Sequence, residues 1–196
     1  MVHSVFRKSM LRAAVVLVAM TAAGSGRAAD VVPTRDLYKV NPGDVLEVTV
    51  WKEPDLQRQL WVNPDGHFAF PLAGDMTAEG KTVEQLRQEL TEKLGRFIPD
   101  VVVTVAVLKV DGNTVFVLGQ VARPGGFVMN RTTDVMQAIS MAGGPTPFAD
   151  VDDIRILRRG EQGSQIAIPF KYSDVREGKK LEQNILLRAG DTVVVP

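Results

Sequence analysis

The chain has 196 residues, 45% of them apolar and 23% charged, which is the composition of a globular protein rather than of a disordered or fibrous one. Its 23 basic and 23 acidic residues balance, so the sequence gives no electrostatic sign of a nucleic-acid partner. No Cys is present. The sequence therefore excludes disulfides, and we expect no membrane attachment through an acylated Cys.

The N-terminal segment has the pattern of a cleavable secretory signal. Three basic residues lie between positions 7 and 12, an apolar run occupies 13–23, and small residues follow as far as Ala28. The apolar run is shorter than the roughly 20 residues that a membrane-spanning helix needs. We predict a signal peptide at residues 1–28. Removing its four basic residues leaves 19 basic and 23 acidic residues, a formal net charge of −4.

Both ends of the mature chain carry a Gly-Asp turn followed by β-branched residues. The residues from Asn41 to Asp44 read N-P-G-D, in which Pro fixes φ and Gly supplies a positive φ, and they precede the alternating run 45–51. Gly190-Asp191 precedes the last β-branched run in the same way. Each is predicted to be a turn that begins a strand.

One helix is predicted in the first part of the mature chain. Thr82 and Gln85 have the spacing of a capping box, and apolar residues then recur at helical spacing. Gly95 fits the C′ position. The predicted helix is Val83–Leu94, with one apolar stripe that faces a sheet.

Strands are predicted on both sides of this helix. The residues at 52–56 indicate a polar turn, and short strands are expected at 60–62 and 67–71. The run at 101–108 is apolar on both faces, which predicts a central, buried strand. Together these elements make one α+β unit.

The rest of the chain predicts a second unit of hairpin, helix and further strands. Asp111-Gly112 lies between two β-branched runs, which predicts a hairpin turn at the junction of the two units. The second helix is expected to be capped by Thr132 or Thr133. Further β segments are predicted at 153–159, 164–169, 185–187 and 193–195. This order of elements is that of a β-grasp fold.

The turns and strands also form motifs in a fixed order. The segment Y-K-V-N-P-G-D-V-L-E-V-T-V-W at 38–51 is followed by V-x-x-D-G ending at Gly66, G-Q-V-x-x-P-G at 119–125, A-I-x-x-A-G-G at 138–144 and a terminal G-D-x-V-x-V-P. With these motifs the chain resembles the bacterial polysaccharide biosynthesis and export proteins, the outer-membrane exporters of Wza type, with one soluble-ligand-binding β-grasp (SLBB) domain. The resemblance covers nearly all of the mature chain.

The resemblance implies an α+β fold in which a β-rich export domain at 29–111 precedes a β-grasp domain at 112–196, each with one short helix packed on a sheet. We interpret the turn residues of the motifs as determinants of the fold rather than as ligand contacts. These residues are Pro42, Gly43, Asp44, Asp65, Gly66, Gly119, Pro124, Gly125, Gly143, Gly144, Gly190 and Asp191.

The sequence offers little that could support catalysis. His67 is the one His of the mature chain, which excludes His-pair metal sites and leaves a single candidate general base, expected at a strand edge. We predict no catalytic residue, metal or cofactor, and therefore no enzyme. A carbohydrate-processing enzyme that uses Asp44 or Asp65 as a catalytic carboxylate stays open as an alternative.

Trp51 and Trp61 are the residues best suited to contact sugar rings, because each side chain is wide, flat and polar only at its edge. The other interpretation of this pair is that both are half-buried strand aromatics that close a core. The pattern of the sequence leaves both interpretations open.

The resemblance implies a periplasmic, outer-membrane-associated component of an exopolysaccharide or capsular polysaccharide export system. A homo-oligomeric ring would conduct the polysaccharide chain, with an inner-membrane polysaccharide copolymerase and a separate outer-membrane barrel as partners. The barrel is expected because this chain stops after a strand, where larger members of the family continue into a membrane-crossing helix. The alternative is a monomeric periplasmic carbohydrate-binding module that presents the polymer to other machinery.

Overall fold

The computed structural model describes residues 37–160 and 163–196 of the chain. The predicted signal peptide lies outside these residues, and so do Glu161 and Gln162 in the predicted turn between two strands. Leu37–Pro196 form one compact unit, and its described residues build two clusters of buried apolar side chains. The first cluster is formed by residues before Asp111 and the second by residues after it.

The α+β fold class is confirmed. Among the described residues the strands are Val45–Val50 (β1), Glu53–Trp61 (β2), His67–Phe70 (β3), Gly74–Thr77 (β4), Val103–Lys109 (β5), Thr114–Gly119 (β6), Gly125–Val128 (β7), Ile154–Arg159 (β8), Gln165–Phe170 (β9) and Thr192–Val195 (β10). The α-helices are Val83–Leu94 (α1), Val135–Met141 (α2) and Tyr172–Arg176 (α3), and Leu181–Gln183 form a short 3-10 helix.

The first sheet has three strands in the order β2-β1-β5, and one of its faces packs on α1. Leu46, Val48 and Val50 of β1 alternate with less buried residues, and this period of two places them on the face toward α1. The helix contributes the buried side chains Leu86, Leu90 and Leu94. Strands β3 and β4 pair only with each other, as a hairpin beside this core.

The predicted bounds of α1 and its capping box are confirmed. The Thr82 hydroxyl oxygen accepts from the Gln85 N–H at 3.3 Å, and the Gln85 side-chain oxygen accepts from the Thr82 N–H at 2.8 Å. The C′ role of Gly95 is not observed. Gly95 is the C-cap with a right-handed φ of −59°, and its N–H bonds to the Thr91 carbonyl in the pattern of the helix itself.

Two strand predictions in this half are wrong. Residues 53–56 are not a turn but part of β2, which accommodates Pro54 because an edge strand has one side without ladder partners. The apolar run at 101–108 supplies most of β5, which lies at an edge of the sheet; Val102, just before the strand, and Leu108, within it, are exposed. An apolar pattern indicates that both faces of a strand carry apolar side chains. It does not indicate the position of the strand in the sheet, because strand order depends on pairing with distant segments.

The predicted hairpin across Gly112 is also wrong. Strand β5 pairs with β1 in the first sheet, whereas β6 pairs with β7 and β10 in a second sheet. The Asp-Gly pair does form a turn. This turn directs the chain from one sheet to the other instead of joining neighbouring strands.

The second sheet has five strands in the order β7-β6-β10-β8-β9. Strand β10 runs parallel to β6, and the other neighbours are antiparallel. The first and last strands of the unit therefore lie side by side in the middle of the sheet, and α2 packs against one face. This is the arrangement expected of a β-grasp fold.

The N-cap of α2 is Asp134 rather than Thr132 or Thr133. Asp134 Oδ1 accepts from the Gln137 N–H at 2.8 Å, and Gln137 Oε1 accepts from the Asp134 N–H at 3.0 Å. Only the cap at Asp134 places a Gln at the third helical position, where its side chain reaches back to close the capping box.

The C-terminal half holds more helix than the sequence indicated. The helix α3 and the 3-10 helix follow β9, in a region for which no helix was predicted. Residues 185–187 do not form a strand, and Leu186 makes only an isolated bridge with Asp134.

Candidate functional site

The two Gly-Asp turns share one hydrogen-bond pattern. In the first turn, Asp44 Oδ2 accepts from the Asn41 N–H at 2.8 Å, and the Asp44 N–H donates to the Asn41 carbonyl at 3.1 Å. In the second, Asp191 makes the same two bonds with Arg188, at 2.8 and 3.1 Å. The Gly before each Asp has a positive φ, 93° and 81°, which lets the chain reverse. Each Asp side chain therefore closes its own turn.

Asp44 also connects its turn to more distant residues. Its carboxylate accepts from the Tyr38 hydroxyl at 2.5 Å and from the Gly112 N–H at 3.0 Å. The residue is fully buried. Burial and the bond to Asp44 raise the pKa of the Tyr38 hydroxyl above its usual value. Because three donors surround the Asp44 carboxylate and solvent does not reach it, its geometry does not suit a catalytic acid or base.

Asp191 holds the second turn against a guanidinium group. Arg158 donates to it from Nε and Nη2, with Nη2 2.6 Å from Oδ2, and the two side chains are 13% and 2% exposed. The hydrogen bond to Asp191 raises the pKa of Arg158. Arg158 Nη2 also donates to the Leu186 carbonyl at 3.0 Å. The ion pair thus ties β8 to the segment that precedes β10.

The other predicted turn residues lie at reversals and strand starts. A Cβ at Gly119 would lie 1.9 Å from the Val195 carbonyl oxygen, so this position admits only Gly. Gly143 and Gly144 follow α2 with φ of 83° and 84°. Pro42 lies in the first Gly-Asp turn, Pro124 is exposed, and Gly125 begins β7. The role of these residues as determinants of the fold stays a prediction.

Asp65 and His67 form a local network at the start of β3. Asp65 Oδ1 accepts from the His67 N–H at 3.1 Å, across Gly66, which has a positive φ of 80°. The imidazole Nδ1 lies 2.8 Å from the Asp65 carbonyl oxygen, and Nε2 lies 3.0 Å from Thr77 Oγ1. Both ring nitrogens are therefore engaged by the hairpin of β3 and β4.

Trp51 and Trp61 lie near opposite ends of β1. Trp61, the last residue of β2, pairs with Val45 at the start of β1, so alternation turns its side chain away from α1. Trp51 follows the end of β1 in the turn to β2, where its N–H donates to the Val102 carbonyl at 2.9 Å. Trp51 and Trp61 are 69% and 66% exposed, so the interpretation as half-buried aromatics that close a core does not hold.

A groove of about 320 Å³ lies on the second sheet. Its lining residues are Phe116, Leu157, Arg158, Arg159, Gln165, Gly190 and Thr192. Apart from Gly190, none of them was singled out from the sequence as a site or turn residue. The Arg158-Arg159 pair was visible in the sequence, but which strands bring it beside Phe116 depends on the order of the sheet.

Among residues 37–160 and 163–196, no three His, Asp or Glu side chains are placed to hold a metal ion together. None of the helices there is long and apolar enough to cross a membrane.

The fold defines a class of α+β protein in which a β-rich unit with one helix precedes a β-grasp unit. Residues 32–108 match the family described as polysaccharide biosynthesis/export protein, and residues 114–169 match the SLBB domain. The two matches follow each other in the order of the two sheets. The chain belongs to the polysaccharide biosynthesis/export proteins and carries an SLBB domain.

Named relatives of the chain agree with this family. It is 30% identical over 183 residues to the EPS I polysaccharide export outer membrane protein EpsA of Ralstonia nicotianae, which covers 81% of this chain and 47% of EpsA. It is 29% identical over 180 residues to the capsule polysaccharide export protein BexD of Haemophilus influenzae, covering 79% of this chain and 42% of BexD. The chain thus spans less than half the length of these relatives.

Proposed function

We propose that the chain is a periplasmic, outer-membrane-associated component of an exopolysaccharide or capsular polysaccharide export system, in which copies assemble into a ring that conducts the polymer. The observation that carries this proposal is the pair of family matches at 32–108 and 114–169, in that order along one compact unit. The names of the relatives EpsA and BexD, which refer to polysaccharide export, support the same process.

In this function the protein performs no catalysis. Among the described residues the buried carboxylates are Asp44 and Asp191, and both hold turns, which leaves conduction to exposed polar side chains. Weak hydrogen bonds from such side chains let a polymer enter and leave without being trapped. The assembly would receive the polymer from an inner-membrane polysaccharide copolymerase and pass it to an outer-membrane partner.

Subunit number tests the ring directly. The full chain, expressed with its own leader and purified after export, is measured by native mass spectrometry and light scattering, with and without mild detergent. A closed assembly of many copies is the expected result. A strict monomer at high protein concentration, in membranes that also contain the two partner proteins, would contradict the ring.

The second candidate is a monomeric carbohydrate-binding module, and the exposure of Trp51 and Trp61 favours it. Two flat, exposed aromatic side chains suit stacking on sugar rings. If these side chains bind the polymer, Trp51→Ala and Trp61→Ala each weaken saturable binding of an oligosaccharide. Phe148→Ala is the control, because Phe148 is 87% exposed but lies outside the first sheet. If the protein is instead a conduit, it binds the oligosaccharide weakly, and the affinity of these variants equals that of wild type.

A further inference from the structure

The face of the second sheet that points away from α2 carries exposed apolar side chains. Phe116 and Leu118 of β6 and Leu157 of β8 are 44%, 47% and 37% exposed, whereas their neighbours Val117 and Ile156 are buried in the core. Exposed apolar side chains grouped on one sheet face mark a candidate interaction site.

The strand register builds a floor on this face. Thr192 of β10 is paired on one side with Phe116 of β6 and on the other with Leu157 of β8, so these three side chains form one row across the sheet. Gly190, two residues before Thr192, also lines the groove, and a Cβ placed there would meet nothing within 4 Å.

Guanidinium and amide groups line the groove beside this floor. Arg159 is exposed and pairs across the ladder with Gln165 of β9. Arg158 is held in place through Nε and Nη2 by Asp191, which is itself 1% exposed. The compensating carboxylate is thus buried beneath the site, whereas the cationic groups line it.

We infer that this groove binds a carboxylate-bearing sugar unit of the polymer that the protein exports. The Phe116 ring and Leu157 would contact the apolar C–H face of the sugar, and Arg159 would donate to its carboxylate. Thr192 and Gln165 supply groups that hydrogen-bond hydroxyls. Charge complementarity selects an anionic over a neutral saccharide, and the open groove suits reversible contact. The inference rests on the proposed function, because it specifies the polymer of that function.

Two probes of the same sugar and length, one charged and one neutral, test the inference. Isothermal titration of the full exported chain compares oligogalacturonate with its methyl ester of the same length, which carries no carboxylate charge. Wild-type protein is expected to bind the acid form more tightly, and increasing salt should reduce that preference. Arg159→Gln should lower affinity for the acid form about tenfold without affecting the ester, because it removes one charge-assisted contact. Phe116→Ala should lower affinity for both probes.

Arg155→Gln is the matched control. Arg155 lies on β8 two residues before Leu157, on the same sheet face, but outside the groove, and it is ion-paired with Asp153. This variant should bind like wild type. Equal affinity for acid and ester, or equal losses in Arg155→Gln and Arg159→Gln, overturns the inference. It is also overturned if Arg159→Gln and Phe116→Ala change subunit number while acid affinity stays constant, since the face is then an interface between copies.

A second readout separates this inference from the proposed function. In a strain that depends on this chain for polymer secretion, secretion without any acid-selective binding contradicts the groove alone. Acid-selective binding by a chain whose removal leaves polymer secretion intact contradicts the export function alone.

Discussion

The Gly112 N–H donates to Asp44 Oδ1 at 3.0 Å, although 68 positions separate the two residues in the sequence. This bond joins the turn before β1 to the turn between the two sheets. A Cβ at Gly112 would lie 2.2 Å from the Pro42 carbonyl oxygen, so the two turns pack backbone against backbone. The junction between the sheets is therefore a close contact and not a free linker.

We expect Gly112→Ala to lower the free energy of unfolding by about 1–3 kcal/mol, because the added methyl group would force the two turns apart. Urea unfolding followed by circular dichroism measures this change. Gly95→Ala is the control, since Gly95 has a right-handed φ of −59° and a Cβ there would lie 3.1 Å from the Thr91 carbonyl oxygen, a much looser contact than the 2.2 Å at Gly112. A Gly112→Ala variant with the unfolding midpoint of wild type would show that the contact is not tight.

Asp44→Ala should lower the free energy of unfolding by about 2–4 kcal/mol, because it leaves the Asn41 N–H, the Gly112 N–H and the Tyr38 hydroxyl without their acceptor in a buried site. Asp65→Ala removes a turn carboxylate of the same half whose side chain is 71% exposed, and its cost should stay below about 1 kcal/mol. The comparison uses unfolding free energies from denaturant titration. Equal losses in the two variants would contradict a special role for Asp44.

The raised pKa of Tyr38 predicts that the protein loses stability at alkaline pH. Its pKa is raised in the folded state, so its contribution to stability is complete below the usual value of 10.0 and is lost as the pH rises from there through the raised folded value. Deprotonation places a phenolate against the Asp44 carboxylate. The unfolding free energy of wild type should therefore fall more steeply above about pH 10 than that of Tyr38→Phe. Tyr172→Phe, which replaces the only other Tyr, should keep the wild-type slope.

The elements that the sequence predicted well are those with local causes. The bounds of α1 follow from Thr82 and Gln85, which contact each other three positions apart, and from a single apolar stripe. The Gly-Asp turns follow from residues within four positions. In these cases the residues that determine the element lie within a few positions of one another in the sequence.

The errors concern contacts between distant parts of the chain. Asp111-Gly112 predicts a hairpin turn because the runs on its two sides are β-branched, but β6 pairs with β7 and with β10, which comes from the end of the chain. The exposure of Trp51 and Trp61 was undecided because a strand pattern does not say which face another layer covers. For the same reason the groove at Phe116 and Arg159 could not be predicted, since strand order brings its residues together.

The buried ion pair of Arg158 and Asp191 provides a contrast with an exposed pair on the same strand. Arg158→Gln should destabilise the protein by about 3–5 kcal/mol, because it leaves a 2%-exposed carboxylate without its cation. Arg155→Gln breaks the ion pair with Asp153, in which the two side chains are 57% and 55% exposed. It should lower the free energy of unfolding by no more than about 1 kcal/mol.

Adding Asp191→Asn to Arg158→Gln separates the two possible causes of this loss. If the loss reflects an uncompensated charge, the double variant should be more stable than Arg158→Gln alone, because the buried carboxylate is gone. If the loss reflects only the missing contacts of Arg158, the second substitution should lower stability further, since the Arg188 N–H then faces an altered acceptor. Urea unfolding of wild type, Arg158→Gln, Arg155→Gln and the double variant decides between these outcomes.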